Sequence, residues 1–404
     1  VTSYRDALDA ILALPMALGT ERIALREAAG RFLAEPVRAT YPLPRYSQSS
    51  MDGIATSTAW ARGGEPLRIA GESAAGHPWL NALAPGEAVR ISTGAAMPEG
   101  ADVVVPRELL RTAEDGLVTP SQVGAPGHFV RHRGEDIAEG SVIAAAGTRL
   151  SPAMLAFVAA SGIMEVAAYR RPRVAILTSG DELRMPGEAL GPHDTVAASL
   201  LYLEHELRAC GCDPRVLGIA RDTEEDCARL LGEARAFADI IVTTAGVSVG
   251  DHDAMGRVLR AADASPLFWR VAVRPGKPML VARLGAAVVF GLPGNPVATA
   301  CNTEIFVKPF LRRWLGVEPP VLPHGRARLA RELAPDRERL FFVYAQSFRR
   351  DPGLAPGEVA ALPRQSSANL ANPAKADCLI VVPPGDTPLA AGAEVAVLPV
   401  REGL

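Results

Sequence analysis

Apolar and polar positions change their spacing several times along the 404 residues, and each change marks an element or a domain. Near the start, Leu8, Ile11 and Leu12 share one helical face behind Ser3, a helix cap with Asp6 three positions on. A second helical segment is expected to end before Pro36. From residue 41 to about 146 the apolar residues gather in short β-type runs broken by Gly and Pro, such as 88–92 and 102–105, predicting a β-rich, barrel-like insertion. A helix returns over 151–162, with Ser151 as cap, Pro152 at the first helical position and Gly162 as the stop. Helical segments on both sides of the β-rich block predict one discontinuous N-terminal helical domain, 1–40 with 147–170, around an inserted domain at 41–146.

From 173 to about 315 strand and helix alternate. RVAILTS, DPRVLGIA, DIIVTTA and AAVVFGLPG read as strands. SLLYLEHELRACG, TEEDCARLLGEARAFA (capped by Thr223), AMGRVLRAA and the Asn295-capped NPVATACNTEIFVKPFLRRWL read as helices. This alternation predicts a doubly wound α/β domain over 171–318 with a mainly parallel sheet. Beyond Pro319 and Pro320 the short strands and Pro/Gly turns predict a C-terminal β-barrel-like domain over 319–404. The fold class is multidomain α/β plus β.

Composition narrows the function. A net charge of −3 provides no basic field for nucleic acid, so an anionic ligand must be held by local groups. Five cysteines without a CxxC pair argue against a disulfide framework and a structural zinc, and fit a reducing cytoplasm. The opening segment lacks the basic flank of a secretory signal, and no apolar run is long enough to predict a membrane span.

Ligands of open parallel sheets sit beyond the carboxyl ends of the strands. Four polar stretches are expected there: Thr178, Ser179, Gly180, Asp181 and Glu182; Arg221 and Asp222; 243–253; and 292–296, with Pro293, Gly294 and Asn295. In the third, Gly246 and Gly250 allow close backbone approach while Thr243, Thr244 and Ser248 add hydroxyls, a combination suited to phosphate. The same loop also suits an ordinary turn with Asp251 or Asp253 capping the next helix. Glu182, Asp222 and Asp253 are all expected at this edge, where converging carboxylates tolerate a phosphate only with a divalent cation between them. Arg274 and Lys277 flank Pro275-Gly276, a stiff turn able to clamp an oxyanion or simply to stand in solvent. Asp52 before Gly53, Thr93 before Gly94, and Asp136 after Gly134 have the chemistry of turns. No Ser/His/Asp arrangement, HExxH or strand-following GxGxxG occurs.

The collinear strings SSMDGIA, STGAAMPEGADVVV, RGEDIAEG, TSGDEL, GVSVGDHD, RPGKPML and GLPGNPVA, with QSSANLANPAKADCLIVVP further on, resemble the molybdopterin molybdotransferase family, MoeA and the gephyrin E-domain. The resemblance covers essentially the whole chain. It implies an elongated homodimer whose α/β domain binds molybdopterin and whose active site is shared between subunits. It also implies molybdopterin adenylyltransferase and molybdoenzyme clients as partners. The implied reaction takes adenylylated molybdopterin and molybdate, uses Mg²⁺, releases AMP and leaves molybdenum on the dithiolene.

By the resemblance, Thr178, Ser179, Gly180, Gly246, Ser248, Gly250, Pro293, Gly294 and Asn295 hold the pterin ligand, and Glu182, Asp222 and Asp253 hold the metal. Arg274, Lys277, Arg339, Ser366 and Ser367 hold molybdate, and Asp52, Thr93 and Asp136 complete the cleft. Three positions depart from the family pattern: Arg274 replaces a Lys, Val196 an Asn, and 339–344 lacks an acid and a second Arg that family members carry. A non-catalytic carrier or scaffold binding molybdopterin is the alternative reading, and a hydrolase of a nucleotide-like ligand a third.

Overall fold

The computed structural model describes residues 1–16, 19–244, 254–321, 324–400 and 404. Chain contacts divide these into two compact units: Val1–Glu21, Gly30–Ala34 and Ala168–Leu404 in one, Arg22–Ala29 and Glu35–Ala167 in the other.

Helix α1 (Tyr4–Leu12) starts where the Asp6 N–H donates to Ser3 Oγ at 3.1 Å, and it buries Ala7, Leu8 and Ile11 in the larger unit. The expected second helix before Pro36 is not formed. Thr20–Ala24 is a strand and Leu25–Glu27 a single 3₁₀ turn, since a short apolar run between Gly19 and Gly30 cannot repay helix nucleation.

In the smaller unit β1 (Gly53–Thr56), β2 (Arg68–Ser73), β3 (Glu87–Ile91) and β4 (Val103–Pro106) form a sheet ordered β2-β3-β1-β4. Its pairing does not return from β4 to β2, so the sheet is open, contrary to the barrel-like expectation; four short strands are too few to close around side chains. Gly53 passes so close to the Val105 carbonyl that any Cβ would collide with it. Helix α2 (Pro152–Ala160) is capped by Ser151 and ends at Gly162, whose φ of 85° suits glycine. Helix α1 lies in the larger contact unit and α2 in the smaller one.

The larger unit carries the α/β sheet. Its elements are β5 (Arg173–Ser179), α3 (Ala198–Ala209), β6 (Asp213–Ala220), α4 (Glu224–Arg235), β7 (Ile240–Thr244), α5 (Ala254–Ala261), β8 (Ser265–Trp269), β9 (Val273–Arg274), β10 (Leu280–Leu284) and β11 (Ala287–Leu292). Strand order is β6-β5-β7-β11-β10-β8, the first four parallel and the last two antiparallel additions absent from the sequence reading. Alternate residues serve opposite faces. Val174, Ile176 and Val242 pack with Leu200, Leu203 and Leu207 of α3, while Ala175, Leu177 and Ile241 pack with Leu230 of α4 and Met255 of α5. The sheet is therefore doubly wound, as its alternating apolar runs predict.

After β11 the chain enters α6 (Pro296–Asn302), a π turn (Thr303–Val307) and α7 (Lys308–Trp314). Lys308 is buried here, with its Nζ 2.5 Å from Glu304 and 2.7 Å from Glu206. The final strands are β12 (Gly325–Leu329), β13 (Leu340–Ser347), β14 (Glu358–Ala361), β15 (Cys378–Val382) and β16 (Glu394–Pro399). They pair β13-β14-β12-β16-β15 and back to β13, a closed barrel. Phe341 and Val343 fill its interior, whereas Phe342 and Tyr344 on the same strand pack into the α/β core. β9 leaves the α/β region to pair with β13, and this crossing positions the site.

Candidate active site

Three segments of the larger unit enclose a cavity of about 940 Å³. The turn between β9 and β10 supplies Arg274, Gly276 and Lys277; the turn after β11 supplies Pro293, Gly294 and Asn295. The barrel supplies Arg339 just before β13 and Phe341 and Tyr344 on it, with residues 364–367 also lining the cavity. The β9/β13 pairing sets Arg274 opposite Phe341, and the guanidinium lies 4.4 Å from the ring centroid. Gly276 has φ 102° and lies against Asn302, whose amide donates to the Gly276 carbonyl at 3.1 Å. Neither the backbone angle nor the space admits a side chain there.

Asp336 organises part of the cavity wall. It accepts from Arg339 Nη2 at 2.7 Å and Arg274 Nη1 at 3.3 Å, and its other oxygen accepts the backbone N–H groups of Glu338 and Arg339. Burial works against the ionised carboxyl, but the Arg339 side chain and these N–H donors outweigh it and hold the pKa at about 2. Arg274, Lys277, Arg339 and Arg364 therefore line the cavity, and two of these four cations, Arg274 and Arg339, pair with the Asp336 carboxylate behind them. Among the described residues the Lys277 and Arg364 side chains have no ion-pair partner.

Hydroxyls and amides complete the lining. Asn295 Nδ2 donates to Ser367 Oγ at 3.1 Å, tying the α/β turn to the barrel loop, while Asn295 Oδ1 is buried without a partner. Asn295 thus occupies the cap position expected of it but makes no capping bond with its side chain. Ser366 Oγ accepts the Ala368 N–H at 3.3 Å, leaving its proton free to donate.

The second expected site lies at the carboxyl edge of the sheet. Ser179 pairs with Ala220 and Thr178 with Thr244, so the residues after β5 and β6 emerge side by side. Glu182 and Asp222 are both exposed there. Asp222 and Asp181 exchange long bonds, each carboxylate accepting the other's backbone N–H at 3.3–3.4 Å. The Glu182 carboxylate folds against Gly180, where a Cβ would crowd it. Exposed, weakly engaged carboxylate oxygens fit a hard divalent cation. Among the described residues no three His, Cys, Asp or Glu side chains form a metal-sized group. Gly246, Ser248, Gly250 and Asp253 lie outside the described residues.

Thr178 and Ser179 are buried, and Thr178 Oγ1 donates to the Thr244 carbonyl at 2.6 Å, so this hydroxyl joins two strands. In the smaller unit, Asp52 Oδ1 accepts the Thr93 N–H at 2.7 Å and its hydroxyl at 2.9 Å. The backbone bond first, then the hydroxyl, hold Asp52 below the usual carboxylate range. Asp136 is paired with Arg131 at 2.5 Å.

Sequence reasoning missed Asp336, Arg364 and Gln365. Asp336 stands three residues before Arg339, an i,i+3 spacing that signals a turn pair. Gln365 carries no comparable signal, yet it accepts the Tyr344 N–H at 3.1 Å and donates to the Tyr344 carbonyl at 2.8 Å, pinning the barrel loop to β13.

Family models match along the chain: the MoeA N-terminal region (domain I and II) at residues 2–162, a "Probable molybdopterin binding domain" at 175–313, and the MoeA C-terminal region (domain IV) at 326–400. A molybdopterin molybdenumtransferase of Nostoc sp. is 35% identical, with 98% of this chain and 93% of that protein covered. One from Haemophilus influenzae is 32% identical, with 96% and 95% covered. A crystal structure of a molybdopterin biosynthesis MoeA protein from Pyrococcus horikoshii superposes with a TM-score of 0.79 at 27% identity, covering 98% of both chains. The order of its strings, the sheet with its closed barrel and these full-length similarities together place the chain in the MoeA family of molybdopterin molybdenumtransferases.

Proposed function

We propose that this chain inserts molybdenum into adenylylated molybdopterin during molybdenum cofactor biosynthesis, taking molybdate and releasing AMP. The observation that carries this reading is the cavity: four cations and two serine hydroxyls surround a space where two of the cations have no ion-pair partner among the described residues. Such a lining binds a tetrahedral oxyanion by charge-assisted hydrogen bonds. The family match over 175–313 supports molybdopterin as the other substrate.

In this reading Lys277, Ser366 and Ser367 fix molybdate beside the pterin dithiolene, and the turn at Pro293, Gly294 and Asn295 orients the pterin. The acidic edge takes the adenylyl link. Glu182 and Asp222, with Asp253 as third acid, would hold Mg²⁺, which neutralises phosphate charge when bound. Asp52, Thr93 and Asp136 are proposed to complete the site from a second copy of the chain, in a cytoplasmic homodimer. The division at 1–40 with 147–170, 41–146, 171–318 and 319–404 is retained as the proposed domain plan. Molybdopterin adenylyltransferase and molybdoenzyme clients are the proposed protein partners. Among the described residues no helix is long and apolar enough to cross a membrane.

The test is AMP release by the purified protein given adenylylated molybdopterin and Mg²⁺, with and without molybdate. Release that depends on molybdate supports the insertase; tight ligand binding without turnover would instead support a carrier.

A further inference from the structure

The four cations of the cavity are not equivalent. Arg274 and Arg339 share Asp336, and Arg274 also stacks on Phe341. Their charges are partly cancelled and their orientations fixed. Lys277 and Arg364 have no such partner among the described residues, and they come from different walls, the β9–β10 turn and the barrel loop. Two uncompensated unit charges match one dianion.

The placement of Arg364 is also unusual. Its φ is 52°, in the left-handed region that non-glycine residues seldom occupy. Its carbonyl accepts the side-chain amides of Asn369 and Asn372, each at 3.3 Å, and the neighbouring Gln365 is bonded to β13 on both sides of its amide. The loop is thus held so that Arg364, at a position where glycine would be the relaxed choice, is among the residues lining the cavity.

We infer that Arg364 is a specificity-determining anion ligand of this cavity, gripping a tetrahedral dianion together with Lys277 while Arg274 and Arg339 shape the wall. The inference rests on the molybdate reading above and deepens it. Tyr344, on the adjacent strand, donates its hydroxyl to the Val297 carbonyl at 3.1 Å and gives no cation to the site. The barrel's unpaired charge toward the anion therefore comes from the 364–367 loop.

The experiment compares Arg364→Gly, Arg364→Lys and Lys277→Ala with the wild type. It records molybdate binding by calorimetry, the molybdate dependence of AMP release, and thermal stability. Arg364→Gly relieves the backbone angle, so its thermal midpoint is expected to hold or rise, while the half-saturating molybdate concentration rises by about tenfold or more. The apparent affinity for adenylylated molybdopterin should stay put, and Arg364→Lys should recover part of the molybdate affinity. A half-saturation within about twofold of wild type in Arg364→Gly, beside a clear rise in Lys277→Ala, would overturn the role of Arg364 and leave the molybdate site standing. If neither variant changes the molybdate dependence, the cavity reading itself falls.

Discussion

Two charge triads of the larger unit are near mirror images. In one, a buried Lys308 sits between two acids, Glu206 and Glu304; in the other, a buried Asp336 sits between two arginines, Arg274 and Arg339. The Lys308 triad is enclosed by α3, the π turn and α7, and burial raises the Glu304 pKa to about 7 against the pull of Lys308. The Asp336 triad opens on a cavity, with the Arg274 and Arg339 side chains 41% and 33% exposed and two further cations alongside. Interior charge is compensated by partners and a shifted proton, whereas cavity charge is left in excess. That excess separates a structural ion cluster from a ligand site.

The largest effect should come from breaking the buried triad. Lys308→Met removes the cation that two acids share in the core and is expected to lower stability by about 3–5 kcal/mol in denaturant unfolding. At a temperature where the variant stays folded, the molybdate concentration for half-saturation should not move. A similar stability loss in Lys277→Ala would erase the contrast. Instead, Lys277→Ala should change stability by less than about 0.5 kcal/mol and lower molybdate-dependent turnover by roughly 10²–10³-fold.

Asp336→Asn tests the cavity triad directly. It keeps the shape, weakens both arginine bonds and should cost about 1–3 kcal/mol. It also makes the cavity more cationic, so inhibition by sulfate should strengthen, which competition assays against molybdate would reveal.

The smallest effect is in pH dependence. The folded pKa of Glu304 is raised from 4.5 to about 7, so the unfolded chain sheds this proton first. Its contribution therefore favours the fold below pH 4.5 and declines as pH rises towards 7. Asp336 acts in the opposite sense, its stabilisation being present above its ordinary pKa of 3.8 and lost as pH falls towards 2. Denaturant midpoints at pH 5 and pH 8 should differ less in Glu304→Gln than in the wild type.

Much of this architecture was legible in the sequence because its signals are local. β-branched runs bounded by capped helices gave the doubly wound sheet, and Ser3, Ser151 and Thr223 cap as their positions foretell. The segment before Pro36 was misread because a short apolar run fits either period. The strands Ser265–Trp269 and Leu280–Leu284 were hidden by Pro266 and the Pro-Gly-Lys-Pro turn between them. In the cavity, Arg274, Lys277, Arg339, Ser366 and Ser367 were named beforehand, and the fold brings all five together. Asp336 and Arg364 were not named, since a turn acid and a loop arginine look like solvated residues until distant segments meet. The acids of the sheet edge are placed for Glu182 and Asp222, while Asp253 lies outside the described residues.

The most direct measurement is molybdate-dependent AMP release from adenylylated molybdopterin by the wild type and Lys277→Ala in parallel. The account predicts release that saturates with molybdate in the wild type and nearly vanishes in the variant, with both proteins equally stable. Equal, molybdate-independent release by the two proteins would contradict it.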